Sequence, residues 1–374
     1  IKDTDNAIIT YKKALKINPN MHQIYNDIAL LHKNNNEIET AINYLEKCLK
    51  IQPNYFNAYF NLGSIYKKIN KYKEAIFYLE KTIEIKPDYD ECYFELGEIN
   101  RKIKNFDNAN YYYAKSKNEK TSYKKLQCFY EEGNIKSYLE EMERIIKFEP
   151  NNRRIASLAT FVSNQLNIKN IYPFCTHPFK FIYKSSLGKY FNNKNDFINT
   201  LLEELSDIDF KWEPKGRTTV KGFTTNNLTE KNLPTFKSLQ ELIFKELDNY
   251  YEFYSDKKDN IIKNKPTEYK FISWSNRLKK EGFNLPHIHP SGWISGVFYL
   301  KIPTKIKGNE AGIQFHLNGD DFLIKDKNLP VKTVKPEVGD IVLFPSSLFH
   351  STVPFTSSEE RICIAFDLCD LNQN

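Results

Sequence analysis

Residues 282–300 read Gly-Phe-Asn-Leu-Pro-His-Ile-His-Pro-Ser-Gly-Trp-Ile-Ser-Gly-Val-Phe-Tyr-Leu, and residues 339–350 read Gly-Asp-Ile-Val-Leu-Phe-Pro-Ser-Ser-Leu-Phe-His. Three of the chain's seven histidines, His287, His289 and His350, fall in these two stretches. In a regular strand, residues two apart point the same way. A His-x-His pair can therefore offer two ring nitrogens to one point. His350 lies 61 positions beyond His289, so only folding can bring it near. Pro286 and Pro290 bracket the pair and stiffen it. Two close ligands and one distant one make a facial set with open positions opposite. Imidazole nitrogens in that arrangement suit Fe(II), and open positions are what oxygen activation requires. A His-x-His pair alone reads as readily as a surface pair. The segment Gly-Asp-x-x-x-Phe-Pro-x-x-x-x-His tips the reading to a metal.

Outward from these stretches the pattern is strand-like. Short apolar runs at 269–278, 293–301, 312–317, 340–344 and 361–368 are separated by glycine, proline and polar breaks. Residues 195–209 and 236–251 read as helices, and 212–228 is mixed. Many short strands with such breaks predict a sandwich or barrel with helices packed outside.

The first half follows a different rule. Pro19, Pro53 and Pro87 are 34 apart, as are Tyr25, Tyr59 and Tyr93, and Ile28, Leu62 and Leu96. Ala29, Gly63 and Gly97 share the period, and Ala7, Ala41, Ala75 and Ala109 continue it. Each unit has two apolar stripes at helical spacing, split by a polar turn. Small residues stand where paired helices must approach, and each proline closes a unit. The three tyrosines are expected at equivalent buried positions. Residues 1–18 read as only the second helix of a unit, which leads us to expect either a helix upstream or an unusual N-terminal cap. Residues 151–167 read as the closing helix. A junction rich in proline and aromatics follows at 171–179. Its His177 reads as a packed or surface histidine.

Composition bounds the rest. At 374 residues the chain suggests two domains. A net charge of +7 is spread over interleaved Lys and Glu with no basic block. A nucleic-acid partner is not expected, because that needs clustered cations with exposed aromatics. The six cysteines are scattered with no Cys-x-x-Cys, which fits free thiols in a reducing, cytoplasmic compartment. No apolar run approaches the ~20 residues that span a bilayer.

Two family resemblances sit on these residues. The 34-residue units resemble tetratricopeptide repeats. That likeness implies a solenoid of paired helices whose groove takes a protein or peptide partner; the alternative is a scaffold or dimer surface. Residues 211–369 resemble the 2-oxoglutarate/Fe(II) oxygenases of bacteria and phages. The resemblance is carried by Trp212-x-Pro, Thr218 to Gly222, Trp274-Ser275-Asn276, His287-Ile288-His289-Pro290 and Ser295 to Leu300. It continues through Pro336 to Asp340, Phe344-Pro345-Ser346, His350 and Arg361 to Phe366. It implies a double-stranded β-helix, or jelly roll, with Fe(II), 2-oxoglutarate and O2 as cofactor and co-substrates. It further implies hydroxylation of a peptide, protein or small molecule, with 2-oxoglutarate going to succinate and CO2.

By the same resemblance His287, His289 and His350 hold the metal. Arg361, eleven positions past His350, receives the far carboxylate of 2-oxoglutarate through its two-pronged guanidinium. Tyr299 and Asn276 help bind the co-substrate. One departure stands out: the wider superfamily carries His-x-Asp or His-x-Glu, and here that carboxylate position is His289. Either three histidines hold iron, or one of the close pair stands back and Asp320, Asp321 or a water completes the set. Ser295, Trp293 and His316 are weaker candidates. Two rival readings remain. A cupin-like metal enzyme would share the histidines, but cupins add a Glu four or five residues after the pair, where this chain has Trp293 and Ile294. A repeat-based interaction module with a decayed oxygenase part is the other. The expected architecture is an α + β multidomain chain: a repeat solenoid over 1–168, a junction over 169–185 and a jelly roll over 186–374.

Overall fold

The computed structural model of the chain describes residues 2–191 and 193–372. It divides into two compact units, Ile1–Tyr138 and Leu139–Asn374. None of the described helices is long and apolar enough to cross a membrane.

The first unit is a helical solenoid of tetratricopeptide type. Its helices are α1 (Lys2–Ile17), α2 (His22–Asn34), α3 (Ile38–Ile51), α4 (Phe56–Lys68), α5 (Tyr72–Ile85), α6 (Asp90–Lys102), α7 (Phe106–Lys115) and α8 (Thr121–Glu132). First helices start at 22, 56 and 90 and second helices at 38, 72 and 106, so the 34-residue period is kept to the residue. Each pair is joined by a turn with one left-handed residue: Asn36, Asn70 and Lys104 at φ 64°, 60° and 63°. Beyond each turn the chain bonds back to the first helix, Glu37 N to His32 O, Lys71 N to Tyr66 O and Asn105 N to Asn100 O, at 2.8–2.9 Å. This satisfies the orphan carbonyls of each helix end and sets the reversal.

Packing explains the small residues. A Cβ on Gly63 would lie 2.6 Å from Leu79 Cγ, and one on Gly97 would lie 2.6 Å from the Tyr113 ring. Overpacking of this kind costs roughly 1–3 kcal/mol. Gly97→Val is expected to lose about that much, read as a lower urea midpoint for the helical signal. Tyr25, Tyr59 and Tyr93 do occupy equivalent places on α2, α4 and α6, but they are half-buried. The fully buried positions are Ile28, Leu62 and Leu96, one turn further along. A second ladder escaped the sequence reading. Lys33, Lys67 and Arg101 are 34 apart, and each reaches the next first helix, at Ser64 Oγ (2.8 Å), Glu95 (2.5 Å) and Glu131 (2.7 Å).

The second unit takes in most of α9 (Ile135–Ile146), then α10 (Arg153–Leu166), α11 (Lys194–Ser206), α12 (Pro234–Phe253) and α13 (Asn260–Lys263). Its strands are β1 (Tyr183–Ser186), β2 (Lys211–Trp212), β3 (Thr219–Thr224), β4 (Tyr269–Asn284), β5 (Gly292–Lys301), β6 (Ile313–His316), β7 (Lys332–Val334), β8 (Asp340–Pro345), β9 (Phe349–Thr352) and β10 (Arg361–Asp370). They form a seven-stranded sheet in the order β1-β8-β5-β10-β4-β3-β2 and a three-stranded sheet in the order β7-β6-β9.

This corrects the expected double-stranded β-helix. The large sheet is open: it runs from β1 at one edge to β2 at the other, and these edges do not pair. Closure needs a continuous ladder around the barrel, and β2 is a two-residue, exposed strand that cannot extend one. One isolated antiparallel bridge, His287 with His350, ties the segment after β4 to β9 of the small sheet.

α10 braces this unit through main-chain atoms. Arg153 Nε donates to the Pro290 carbonyl at 2.9 Å. Gln165 Nε2 donates to the Asp326 carbonyl, and its Oε1 accepts from the Lys325 and Asp326 amides at 2.7 and 2.9 Å. All six cysteines are buried free thiols.

Candidate metal centre

The site forms where β4 gives way to a loop. His287 exchanges both main-chain bonds with His350, at 3.1 and 3.0 Å, and His289 N donates to Ser346 O at 3.0 Å. The close pair is therefore pinned to the β8–β9 corner, not carried on a regular strand. The rings converge: centroids of His287 and His350 are 4.4 Å apart, and those of His289 and His350 are 5.0 Å apart.

The outward nitrogens decide the chemistry. His287 Nδ1 lies 2.6 Å from Leu285 O, His350 Nδ1 lies 3.1 Å from Leu348 O, and His289 Nδ1 lies 2.9 Å from Asp367 Oδ2. A carbonyl only accepts, so Nδ1 carries the proton in His287 and His350, and Nε2 is left with its lone pair. Nε2 of His289 and Nε2 of His350 approach to 3.2 Å. Potential ligand atoms of all three histidines lie within 4.8 Å of one another. Burial, and then the neighbouring His289, bring His287 down to about 4. Burial and the neighbouring histidines hold His350 well below the ordinary histidine range. Both rings are thus neutral at neutral pH, the form a metal requires. The cluster can hold a metal ion.

Among the described residues no carboxylate joins this group. Asp320 and Asp321 are exposed on the loop after β6 and stand outside it. Trp293 and Ile294, at the cupin glutamate positions, are fully buried. Trp293 donates Nε1 to Ile261 O at 3.0 Å and belongs to the core. His316 bonds Ser351 Oγ at 2.7 Å and is not in the group. His177 is exposed, with Nδ1 3.0 Å from Thr176 Oγ1.

Register places the remaining candidates. Cys363 on β10 faces Asn276 on β4 and Tyr299 on β5. Paired residues share a face of the sheet, as do residues two apart, so Arg361, Asn276 and Tyr299 stand together. Arg361 is 2% exposed. Its Nε donates to Ala311 O at 3.0 Å, one terminal nitrogen touches Cys363 Sγ at 3.3 Å, and its guanidinium lies 5.0 Å from the Tyr299 ring centre.

Arg361 and the three histidines line one cavity of about 250 Å³, together with Thr224, Trp274 and Asn276. No Asp or Glu lines it, and among the described residues none forms an ion pair with Arg361. Thr224 Oγ1 and Asn276 Oδ1 are buried with no hydrogen-bond partner, as is the hydroxyl of Tyr299 nearby. Buried polar atoms are normally satisfied. A buried cation and orphaned polar groups beside three convergent nitrogens fit a metal ion with an anionic ligand. Two neighbours of His289 were given no role there by the sequence: Asp367 at Nδ1, and Trp274, stacked on its ring at 5.4 Å.

Comparisons with known proteins follow the same division. Residues 272–367 match the family model described as "Putative 2OG-Fe(II) oxygenase". Tetratricopeptide repeat models match 1–21, 22–55 and 56–89. Among curated proteins none matches this chain in sequence. Among solved structures, a crystal structure of MamA is 26% identical, over 40% of this chain and 87% of that one, with a TM-score of 0.34. YrrB, described as a TPR protein with an unusual peptide-binding site, is 21% identical over 42% and 84%, with a TM-score of 0.36. PilF of Pseudomonas aeruginosa is 18% identical over 44% and 78%, with a TM-score of 0.38. Scores this low carry no functional inference. In sequence, residues 1–89 are similar to tetratricopeptide repeats, and residues 272–367 are similar to the oxygenase family over about a quarter of the chain.

Proposed function

We propose that the chain joins a repeat-based module for a protein or peptide partner to a metal-binding β unit. The repeat part rests on contiguous family matches and a period kept to the residue. For the β unit, the reading we put forward is an Fe(II)- and 2-oxoglutarate-dependent dioxygenase. The observation that carries it is Arg361, a buried guanidinium without a carboxylate partner, lining the same cavity as three converging histidines.

When bound, Fe(II) and 2-oxoglutarate supply O2 activation, with the keto acid oxidised to succinate and CO2 and a substrate C–H hydroxylated. The chain's own residues do the rest. His287, His289 and His350 would hold the ion through their ring nitrogens. Arg361 receives the far carboxylate, and the Tyr299 ring and Ala311 O keep the guanidinium in place. Asn276 and Thr224 offer the polar atoms that have no other partner. Trp274, Val297 and Phe344 wall the cavity and limit water.

A second reading is favoured by a specific observation: no carboxylate completes the metal set. On it, the β unit is no longer catalytic and the repeats are the working part. The experiment is aerobic incubation with Fe(II), ascorbate and 2-oxoglutarate. Succinate is expected above that formed by His350→Ala. Failure to bind either metal or 2-oxoglutarate would leave the interaction module alone.

A further inference from the structure

Asp367 is a buried carboxylate, 5% exposed, set between Phe366 and Leu368 on β10. It shares the cavity face with Arg361, being six positions further along the same strand. One oxygen meets His289 Nδ1 at 2.9 Å, and the other accepts from Ser295 Oγ at 2.6 Å. Ser295 is in turn 2.8 Å from Ser346 Oγ, next to the carbonyl corner that pins the histidine loop. Among the described residues no Lys or Arg pairs with Asp367. A carboxylate is costly to bury without a compensating positive charge, and besides the Ser295 hydroxyl it addresses a ring whose far nitrogen points into the three-histidine cluster.

We propose that Asp367 supplies, through the His289 ring, the negative charge that the metal set itself lacks. The inference rests on the metal-binding reading of the cluster. Accepting the Nδ1 proton fixes the tautomer, aims Nε2 at the centre and makes the ring a stronger donor. His289 occupies the place where the wider oxygenase superfamily carries Asp or Glu. Here the carboxylate has moved one ring outward: the charge is kept near the ion, and the coordinating atom becomes nitrogen. The Ser295 bond holds the carboxylate in the plane where it meets Nδ1.

The test uses the full chain and Co(II) as the probe. Asp367→Asn keeps an oxygen for the Nδ1 proton, removes the charge, and turns the bond with Ser295 from one it accepts into one it donates. It is expected to weaken Co(II) binding about 10- to 100-fold, with the metal-free protein still melting cooperatively. In NMR spectra of the Co(II) form, the exchangeable ring N–H of His289 is expected to shift while those of His287 and His350 stay. Ser295→Ala keeps the charge but loosens it, and is expected to cost about threefold; it carries the test if the Asn variant does not fold. Affinity within error of the parent in both variants, with unmoved N–H signals, overturns the role of Asp367. A parent that takes up no Co(II) overturns the metal reading and this inference with it.

Discussion

His350→Ala is expected to abolish tight binding of a divalent metal. His350 is the ligand that folding, not local sequence, brings to the pair, and its place is fixed three ways. Its backbone exchanges two bonds with His287, its Nδ1 is held by Leu348 O, and the Phe344 ring packs on it at 4.6 Å. Only Nε2 remains, 3.2 Å from Nε2 of His289. Residues that merely orient a ligand cost about 10- to 100-fold when lost, so losing a ligand of a three-ligand set should exceed about 100-fold. Anaerobic titration with Fe(II) should give one ion per parent chain and none held by the variant at comparable concentration. His289→Ala separates the two ligand sets. An equal loss means three histidines hold the metal; near-parental binding means His289 stands back from it. Parental binding in all three alanine variants would move the site elsewhere.

The next largest effect is expected at Arg361. Arg361→Ala should weaken 2-oxoglutarate binding to the anaerobic Fe(II) protein by roughly 2–4 kcal/mol, or about 30- to 1000-fold. The weak visible charge-transfer band reports the titration. The guanidinium has little freedom, being bound through Nε to Ala311 O, packed on Tyr299 and touching Cys363. Arg361→Lys keeps the charge and part of the volume, yet it loses the rigid fork and the Ala311 bond, so it should also be impaired. Iron binding should survive both changes, because no histidine contact involves Arg361. Unchanged 2-oxoglutarate affinity in Arg361→Ala would favour the cupin-like reading.

How much of this was legible depends on how far apart the deciding residues lie. The repeat period is written locally: Gly63 and Gly97 are small because Leu79 and Tyr113 crowd them sixteen residues on. The period also finds Tyr25, Tyr59 and Tyr93 as equivalents. It cannot tell their depth, which depends on what the next turn of helix covers. Strand positions were legible where glycine and proline bound them, as for β5 and β8. Sheet closure was not, because it depends on whether β1 and β2, at opposite edges of the seven-stranded sheet, come to pair. The histidines were legible as types at a spacing, although the pair sits in a pinned loop and not on a strand. Asp367 was not legible, since a single acid inside an apolar run does not name its partner; only register with Ser295 and proximity to His289 reveal it.

The brace formed by α10 has an evolutionary consequence. Arg153 and Gln165 grip the loops around the site by carbonyls and amides: Pro290 O, Asp326 O and the amides of Lys325 and Asp326. Main-chain atoms are the same in every residue apart from the proline nitrogen. Side chains at 325 and 326 can therefore drift, and with them whatever the loop meets, without loosening the hold. The two gripping residues have no such latitude. Inherited variation should then accumulate in the loop and be purged at Arg153 and Gln165, so that one helix keeps its sequence while the surface it steadies diversifies.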